Sequence, residues 1–327
     1  MAADTAPPAT HHRLGFVGRI LSLPKHKPYD ARKWQSEPNL ETSLDLFDGT
    51  VDWLVEHDIR AYRIPDGFVP YGAHPDMPQF HGQVARCAER LAATGARLRA
   101  EGIRVTNHPG QYTVLNSERA DIQQRAIEDL ELHTSLFDAL GLDDDSVIVL
   151  HVGGSGGGYE AAGERFLQGA ARLSDRARTR LVIEHDDRVW SLTDVLPIAE
   201  RAGLRVIFDN LHHYCLDRAG LSQPEAAALA IATWPAGTRP KVHASSPRSW
   251  IDDVNAAAVP KLPPASAHAD LLDPIALTSY LRDSLHPLGR DIDVMVEAKG
   301  KDLAVLRLRE QLVAHGEQWV DGAFVMG

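Results

Sequence analysis

Eight short β-branched runs, each followed by a longer stretch of helical periodicity, constrain this chain more than any other feature of it. Strands are expected at 14–17, 61–64, 103–106, 147–151, 181–184, 205–209, 241–243 and 293–297. Helical patterns fill 42–56, 83–100, 122–139, 161–173, 192–201, 224–232, 271–284 and 303–314. Gly102, Gly141, Gly203 and Gly316 follow four of these helices as expected C-caps, and Asp121 is the expected N-cap of the third. Eight strand–helix units in 327 residues fit one α/β domain, a single (β/α)8 barrel over 13–316, with 1–12 as a disordered tail and 317–327 as a C-terminal extension. An open doubly wound sheet is the competing layout. It lacks support, because no Gly-x-Gly-x-x-Gly follows the first strand and no Walker A sequence occurs. The glycine-rich run Gly153–Gly158 has no following Lys-Ser/Thr and reads as a backbone-lined loop.

Composition narrows the setting. Two cysteines, Cys87 and Cys215, are too few for a disulfide framework and suit a reducing compartment. The Ala/Pro-rich start has no basic and apolar signal pattern, and no apolar run reaches membrane-spanning length, so a cytoplasmic protein with no membrane partner is expected. A net charge of −11 argues against broad nucleic-acid binding, which runs on Lys and Arg. A local basic run of Arg19, Lys25, His26, Lys27, Arg32 and Lys33 is compatible with a phosphate backbone at one place. The long connections 23–38 and 247–264 are expected to be lids or substrate contacts. Trp34, Trp190 and Trp234 read as packing groups, whereas Trp250 sits in the second long loop.

In a barrel of this kind the C-terminal ends of the strands share one rim, where active sites lie. The residues at those ends are His108, His151, Glu184, Asp209 with His212 and His213, Lys241 with His243, and Glu297. His268 ends the loop after the seventh strand. One histidine at a strand end is ordinary, but six consecutive strands ending in His, Asp, Glu or Lys are not. Carboxylates gathered at one mouth repel unless a cation lies between them. Imidazole and carboxylate donors without thiolates suit Zn²⁺ or Mn²⁺, and this many donors imply more than one ion. Clustered divalent ions serve phosphoryl transfer.

These residues sit within stretches that resemble the UV damage endonuclease family of DNA-repair enzymes. The matching stretches begin with Arg13-Leu14-Gly15-Phe16, Tyr62-Arg63-Ile64, Pro70-Tyr71-Gly72-Ala73-His74-Pro75 and His108-Pro109-Gly110-Gln111-Tyr112. They continue through Leu150-His151-Val152-Gly153-Gly154, Glu184-His185-Asp186-Asp187, Leu211-His212-His213 and Pro240-Lys241-Val242-His243. Ala267-His268-Ala269 and the run from Val294 to Lys301 close the series. The resemblance implies a TIM barrel related to the AP endonuclease and xylose isomerase-like barrels. It implies two or three divalent ions, Mn²⁺ or Zn²⁺ with Fe²⁺ also acceptable, and no organic cofactor. Their implied ligands are His108, His151, Glu184, Asp209, His212, His243, His268 and Glu297. Lys241, carboxylated beside the metals, Glu184 and His74 are the implied catalytic residues, His74 as a catalytic or phosphate contact. Gln111 and Tyr112 are implied to probe the duplex where a damaged dinucleotide flips out, with Phe16 and Arg63 as further substrate contacts.

The resemblance implies a metal-dependent endonuclease that incises damaged double-stranded DNA immediately 5′ to a UV photoproduct or related lesion. A monomer is expected. The sequence departs from the family at Phe16 for Tyr, Ile20 for Asn, Pro65-Asp66 for a small or polar pair, and His185 for Asn after Glu184. These departures are expected on the substrate side. They sustain a second reading, a small-molecule isomerase or oxygenase using the same metals, and a third, a damage-binding protein without catalysis.

Overall fold

The computed structural model describes residues 8–248 and 263–327, so Trp250 and most of the second long loop lie outside the described residues. Eight parallel strands run in sequence order around a closed barrel: β1 (Thr10–Val17), β2 (Ala61–Ile64), β3 (Arg104–Asn107), β4 (Ile148–His151), β5 (Leu181–Glu184), β6 (Arg205–Asp209), β7 (Lys241–Ala244) and β8 (Ile292–Val296). β1 closes it, pairing Gly15–Val17 with Ala61–Arg63 of β2 and His12–Gly15 with Ile292–Met295 of β8. The seam between β3 and β4 is narrow, with Asn107 paired to Ile148 and its N–H donating to Val147 O at 3.0 Å.

Each expected strand is present, and the differences have local causes. β1 begins at Thr10, so 10–12 belong to the strand and not to a tail. The last residues, expected as an extension, form a hairpin of β9 (Gln318–Val320) and β10 (Ala323–Met326), and β10 pairs antiparallel with Thr10–Arg13. The carboxylate of Asp58 pins this hairpin, accepting from Trp319 Nε1 at 2.9 Å and Gly322 N at 2.8 Å. The helix expected over 83–100 is two helices, Gln83–Arg86 and Ala88–Ala100, because Cys87 leaves helical geometry at φ −100° and ψ 14°. Asp121 is not a cap: helix Ala120–Ala139 is preceded by Arg119, whose guanidinium pairs with Asp121 at 2.7 Å. The pattern over 271–284 starts later, at Pro274, where Asp273 accepts from Ile275 N, and passes into a π-helix at Tyr280–Leu285. Gly203 ends its helix in the left-handed conformation, at φ 67°.

Strand alternation sorts side chains between two cores. Leu14, Phe16, Tyr62 and Ile64 join the large core packed under the helices. The barrel interior has an apolar wall of Val147, Val149, Val182 and Ile207 with Trp234. Facing it is a polar floor in which Asp293 pairs with Arg239 Nε at 2.7 Å and Arg104 at 3.0 Å. Lys241 of β7 donates across the barrel to Thr106 Oγ1 of β3 at 3.1 Å, and above that level the interior opens into the rim.

The helix layer is closely fitted. A Cβ on Gly95, inside helix Ala88–Ala100, would lie 1.6 Å from the Leu140 carbonyl oxygen. Helix propensity favours Ala over Gly by about 1 kcal/mol, but forced overpacking typically costs about 1–3 kcal/mol or more. Gly95→Ala is therefore expected to lower the urea midpoint, and an unchanged or raised midpoint would contradict this packing.

Candidate metal centre

The register of the strands brings the rim residues together. His151 is the register partner of Glu184 across β4 and β5, and Asp209 of His243 across β6 and β7. Glu184, almost fully buried, is the hub. Its Oε2 lies 3.2 Å from His108 Nε2 and 3.7 Å from His151 Nε2. Its Oε1 lies 2.8 Å from His243 Nδ1 and 3.3 Å from His212 Nδ1. Asp209 ends β6 and caps the short helix Asn210–Cys215: its Oδ1 accepts from Leu211 N and His212 N, while buried Oδ2 has no hydrogen-bond partner. Among the described residues three overlapping groups could each hold an ion: His108–His151–Glu184, Glu184–Asp209–His212 and Asp209–His243–Glu297.

The second ring nitrogens fit this reading. Nδ1–H of His108 donates to Pro109 O (3.1 Å), of His151 to Glu184 O (3.3 Å), of His212 to His185 O (3.0 Å) and of His268 to Glu297 O (2.7 Å). A ring nitrogen committed to a backbone carbonyl fixes the tautomer and leaves the other nitrogen as a ligand. For His108 and His151 that other nitrogen faces Glu184 Oε2, an acceptor facing an acceptor, which suits a cation between them. His268 stands beside Glu297, 4.0 Å from its carboxylate, and is the one expected ligand outside the three groups.

Other expected site residues are distributed differently. Arg63 projects from β2 onto the carboxylate of Glu297, an expected ligand. Lys241 lies deeper, on Thr106. Phe16 is not at the mouth: it is fully buried, edge-on to Trp53 (5.6 Å) and Tyr62 (5.4 Å), because even-numbered positions of β1 face the helices. Ile20 is buried in the same core, so neither departure touches a substrate surface. His74 is outside the cluster, on the wall of an adjoining cavity of about 560 Å³ shared with Asp66, Tyr112 and Arg125. Gln111 and Tyr112 sit on an exposed turn, and Tyr112 is 82% exposed. Of the basic run, Arg19, Lys25, Lys27 and Lys33 are exposed, Arg32 pairs with Asp30 at 2.6 Å, and His26 is tied to Ile20 N and Thr50 Oγ1. Trp190 and Trp234 are packed as expected, but Trp34 is exposed.

Sequence reasoning passed over His185 as a site residue. Its buried Nε2 accepts the Asp209 N–H at 3.0 Å and so joins β5 to β6 directly beneath the hub. The signal was present in the Glu184-His185 departure. Asn210 does similar work: its Nδ2 donates to Ser245 O at 3.0 Å and its Oδ1 accepts from Ser245 N at 2.8 Å, tying the ends of β6 and β7.

Charge is balanced within the cluster. Burial would raise Glu184, but His243, His151 and the other imidazoles hold it well below the usual carboxylate range. Burial pushes His108 down to about 4, so this ring is neutral at pH 7. Burial also opposes charge on His212, yet Asp209 and Glu184 push it up to about 11. Burial, then Arg63 and Arg104, lower Lys241 well below an ordinary lysine. A protonated His212 must release its proton to bind a metal. Zn²⁺ uptake by metal-stripped protein at pH 7, followed by calorimetry in buffers of different ionisation enthalpy, should release about one proton more than His212→Asn does. The sign for stability follows from the raised value. The metal-free fold holds the His212 contribution fully below its unfolded value near 6.5 and loses it as pH rises toward 11. Equal proton release by the two proteins would remove His212 from the site.

Comparisons with known proteins agree with the barrel fold. The family model described as UV-endonuclease UvdE matches residues 31–321. A UV DNA damage endonuclease of Bacillus velezensis is 31% identical over 297 residues, covering 90% of this chain and 87% of that protein. One from Clostridium perfringens is 38% identical over 192 residues, 59% of this chain and 46% of that protein. The crystal structure of SacUVDE superposes with a TM-score of 0.79 at 29% identity, covering 93% of this chain and 99% of that one. With its eight-stranded barrel and this match over most of its length, the chain belongs to the UV-endonuclease UvdE family.

Proposed function

We propose that this protein is a metal-dependent DNA-repair endonuclease that incises the phosphodiester immediately 5′ to a UV photoproduct or related lesion. The observation that carries the reading is the set of histidines whose Nδ1–H groups are committed to backbone carbonyls around Glu184, Asp209 and Glu297, beneath an exposed Gln111–Tyr112 turn. Two or three divalent ions, Mn²⁺ or Zn²⁺ with Fe²⁺ acceptable, would be held by His108, His151, Glu184, Asp209, His212, His243, His268 and Glu297. Bound there, such ions activate a water and stabilise the departing oxygen of a phosphodiester.

The chain's own groups supply the rest. Glu184 and Asp209 each belong to two donor groups, so each would help to hold ions at two neighbouring places. Arg63 holds the Glu297 carboxylate in place. Burial holds the Lys241 amine well below an ordinary lysine, which favours the uncharged form that carbamate formation with CO2 requires, the modification implied by the resemblance. Tyr112 replaces base stacking lost when a lesion leaves the helix, Gln111 satisfies exposed base edges, and His74 contacts a phosphate from the adjoining cavity. The exposed lysines and Arg19 of the first long loop give an acidic chain a local contact for the DNA backbone. No helix among the described residues is long and apolar enough to cross a membrane. We propose a cytoplasmic monomer acting on duplex DNA.

A UV-irradiated duplex should be nicked in Mn²⁺ and untouched in EDTA. Glu184→Gln should lower kcat by roughly 10³-fold with an unchanged circular dichroism spectrum. Tyr112→Ala should weaken lesion binding by about 1–3 kcal/mol, the range for one lost base stack, with little change in metal content. A fully metal-loaded protein that cuts no lesion-bearing duplex and shows no salt-dependent duplex binding would point instead to a small-molecule substrate.

A further inference from the structure

A second polar network lies beside the metal cluster and meets none of its ligands by hydrogen bond. Asp66 follows β2, on the short 3-10 turn Asp66–Phe68. Its carboxylate faces Gly110, and its Oδ1 lies 3.1 Å from His133 Nε2. His133 is buried in helix Ala120–Ala139, and the same Nε2 lies 3.6 Å from Asp129 Oδ1, one helical turn earlier. Asp129 Oδ2 in turn accepts from Thr113 Oγ1 at 2.7 Å. The two ends of this chain of contacts, Gly110 and Thr113, are the two ends of the turn that presents Gln111 and Tyr112. They are also joined directly, Thr113 N donating to Gly110 O at 3.0 Å.

We infer that Asp66, His133, Asp129 and Thr113 form a clamp that fixes the Gln111–Tyr112 turn in the conformation that meets DNA. The inference rests on the proposed function for its DNA half only. Tyr112 is so exposed that its own side chain has little packing to hold it, and its direction depends on the backbone at each end of the turn. The clamp meets both ends of the turn, the bare face of Gly110 and the Thr113 hydroxyl, through carboxylates joined by one buried imidazole on a 20-residue helix. Charge-assisted hydrogen bonds of this kind are the stronger ones, and a turn ordered in advance loses less entropy when it enters a duplex. Close fit adds to it: a Cβ at Gly110 would lie 3.1 Å from Asp66 Oδ2, so the glycine lets the carboxylate reach the backbone. These are positioning residues; none touches the reacting atoms.

Asp66, Asp129 and His133 also lie close enough together to hold a cation, which would break the hydrogen bonds of the clamp. The test therefore reads three quantities on the metal-loaded, full-length protein: amide exchange in 109–114, metal content, and kinetics on a UV-irradiated duplex. Thr113→Val should speed exchange in the turn about tenfold and raise KM about tenfold with kcat within about twofold. Thr113→Ser should restore both, and Asp66→Asn should shift both in the same direction as Thr113→Val. Metal content should stay that of the wild type in each, and in His133→Asn. Unchanged exchange in both Thr113→Val and Asp66→Asn overturns the clamp. Loss of one metal equivalent in His133→Asn also overturns it, assigning the trio to a cation. If the wild type cuts and binds no irradiated duplex, the proposed function fails, and amide exchange still decides whether the clamp exists.

Discussion

Everything at the rim depends on burying the carboxylate of Glu184 among imidazoles. A carboxylate removed from water costs several kcal/mol unless opposite charge and hydrogen bonds replace its hydration. Here Glu184, Asp209 and Glu297 enter the same mouth, which compounds the cost by mutual repulsion. The protein offsets it with His212 as a cation, Arg63 on Glu297 and backbone N–H groups on Asp209. The compensation is incomplete: Asp209 Oδ2 and His243 Nε2 are buried with no hydrogen-bond partner. Unsatisfied donors and acceptors of this kind are rare in a finished interior. Their convergence on one point is what a cation site looks like from the protein's side.

The barrel makes such a gathering affordable by holding each donor from a different strand. Parallel register decides which residues become neighbours, so His151 meets Glu184 and Asp209 meets His243 without either pair being near in sequence. Secondary contacts then lock the strand ends, His185 between β5 and β6 and Asn210 between β6 and β7. Below the rim the interior divides into an apolar wall and an Arg–Asp floor, so the polar residues of the barrel are layered and not scattered. The narrow seam between β3 and β4 lies directly beneath His108 and the turn it leads into. That turn draws its order from the clamp to helix Ala120–Ala139, since the sheet supplies little there.

The net charge of the chain and its proposed substrate are reconciled by this layout. Much of the acidity at the rim is turned inward, where ions would neutralise it, while lysines of the first long loop face outward. Tyr112 is an exposed ring beside a cavity that His74 and Arg125 also line. An exposed ring, a cavity and a candidate metal centre near one another suit recognition of a distorted duplex.

The sequence by itself determined the barrel and which residues stand at its rim. Strand periodicity is local, and a residue at the end of a parallel strand has only one rim to occupy, so His108, His151, Glu184, Asp209, His243 and Glu297 were legible one strand at a time. His212 and His268 were read beside those ends, on the connections that follow β6 and β7, and the resemblance implied all eight as ligands. Tertiary structure decided what depends on which way a side chain faces and what it meets. Phe16 read as a substrate-side position but turns toward the helices, because neighbouring residues of a strand face opposite sides, and Ile20, on the loop after β1, is buried in the same core. Residues 10–12 read as tail and became strand because a distant hairpin pairs with them. His185, Arg63 and the Asp66–His133–Asp129 network take their roles from partners far away in sequence, and no local pattern encodes such contacts.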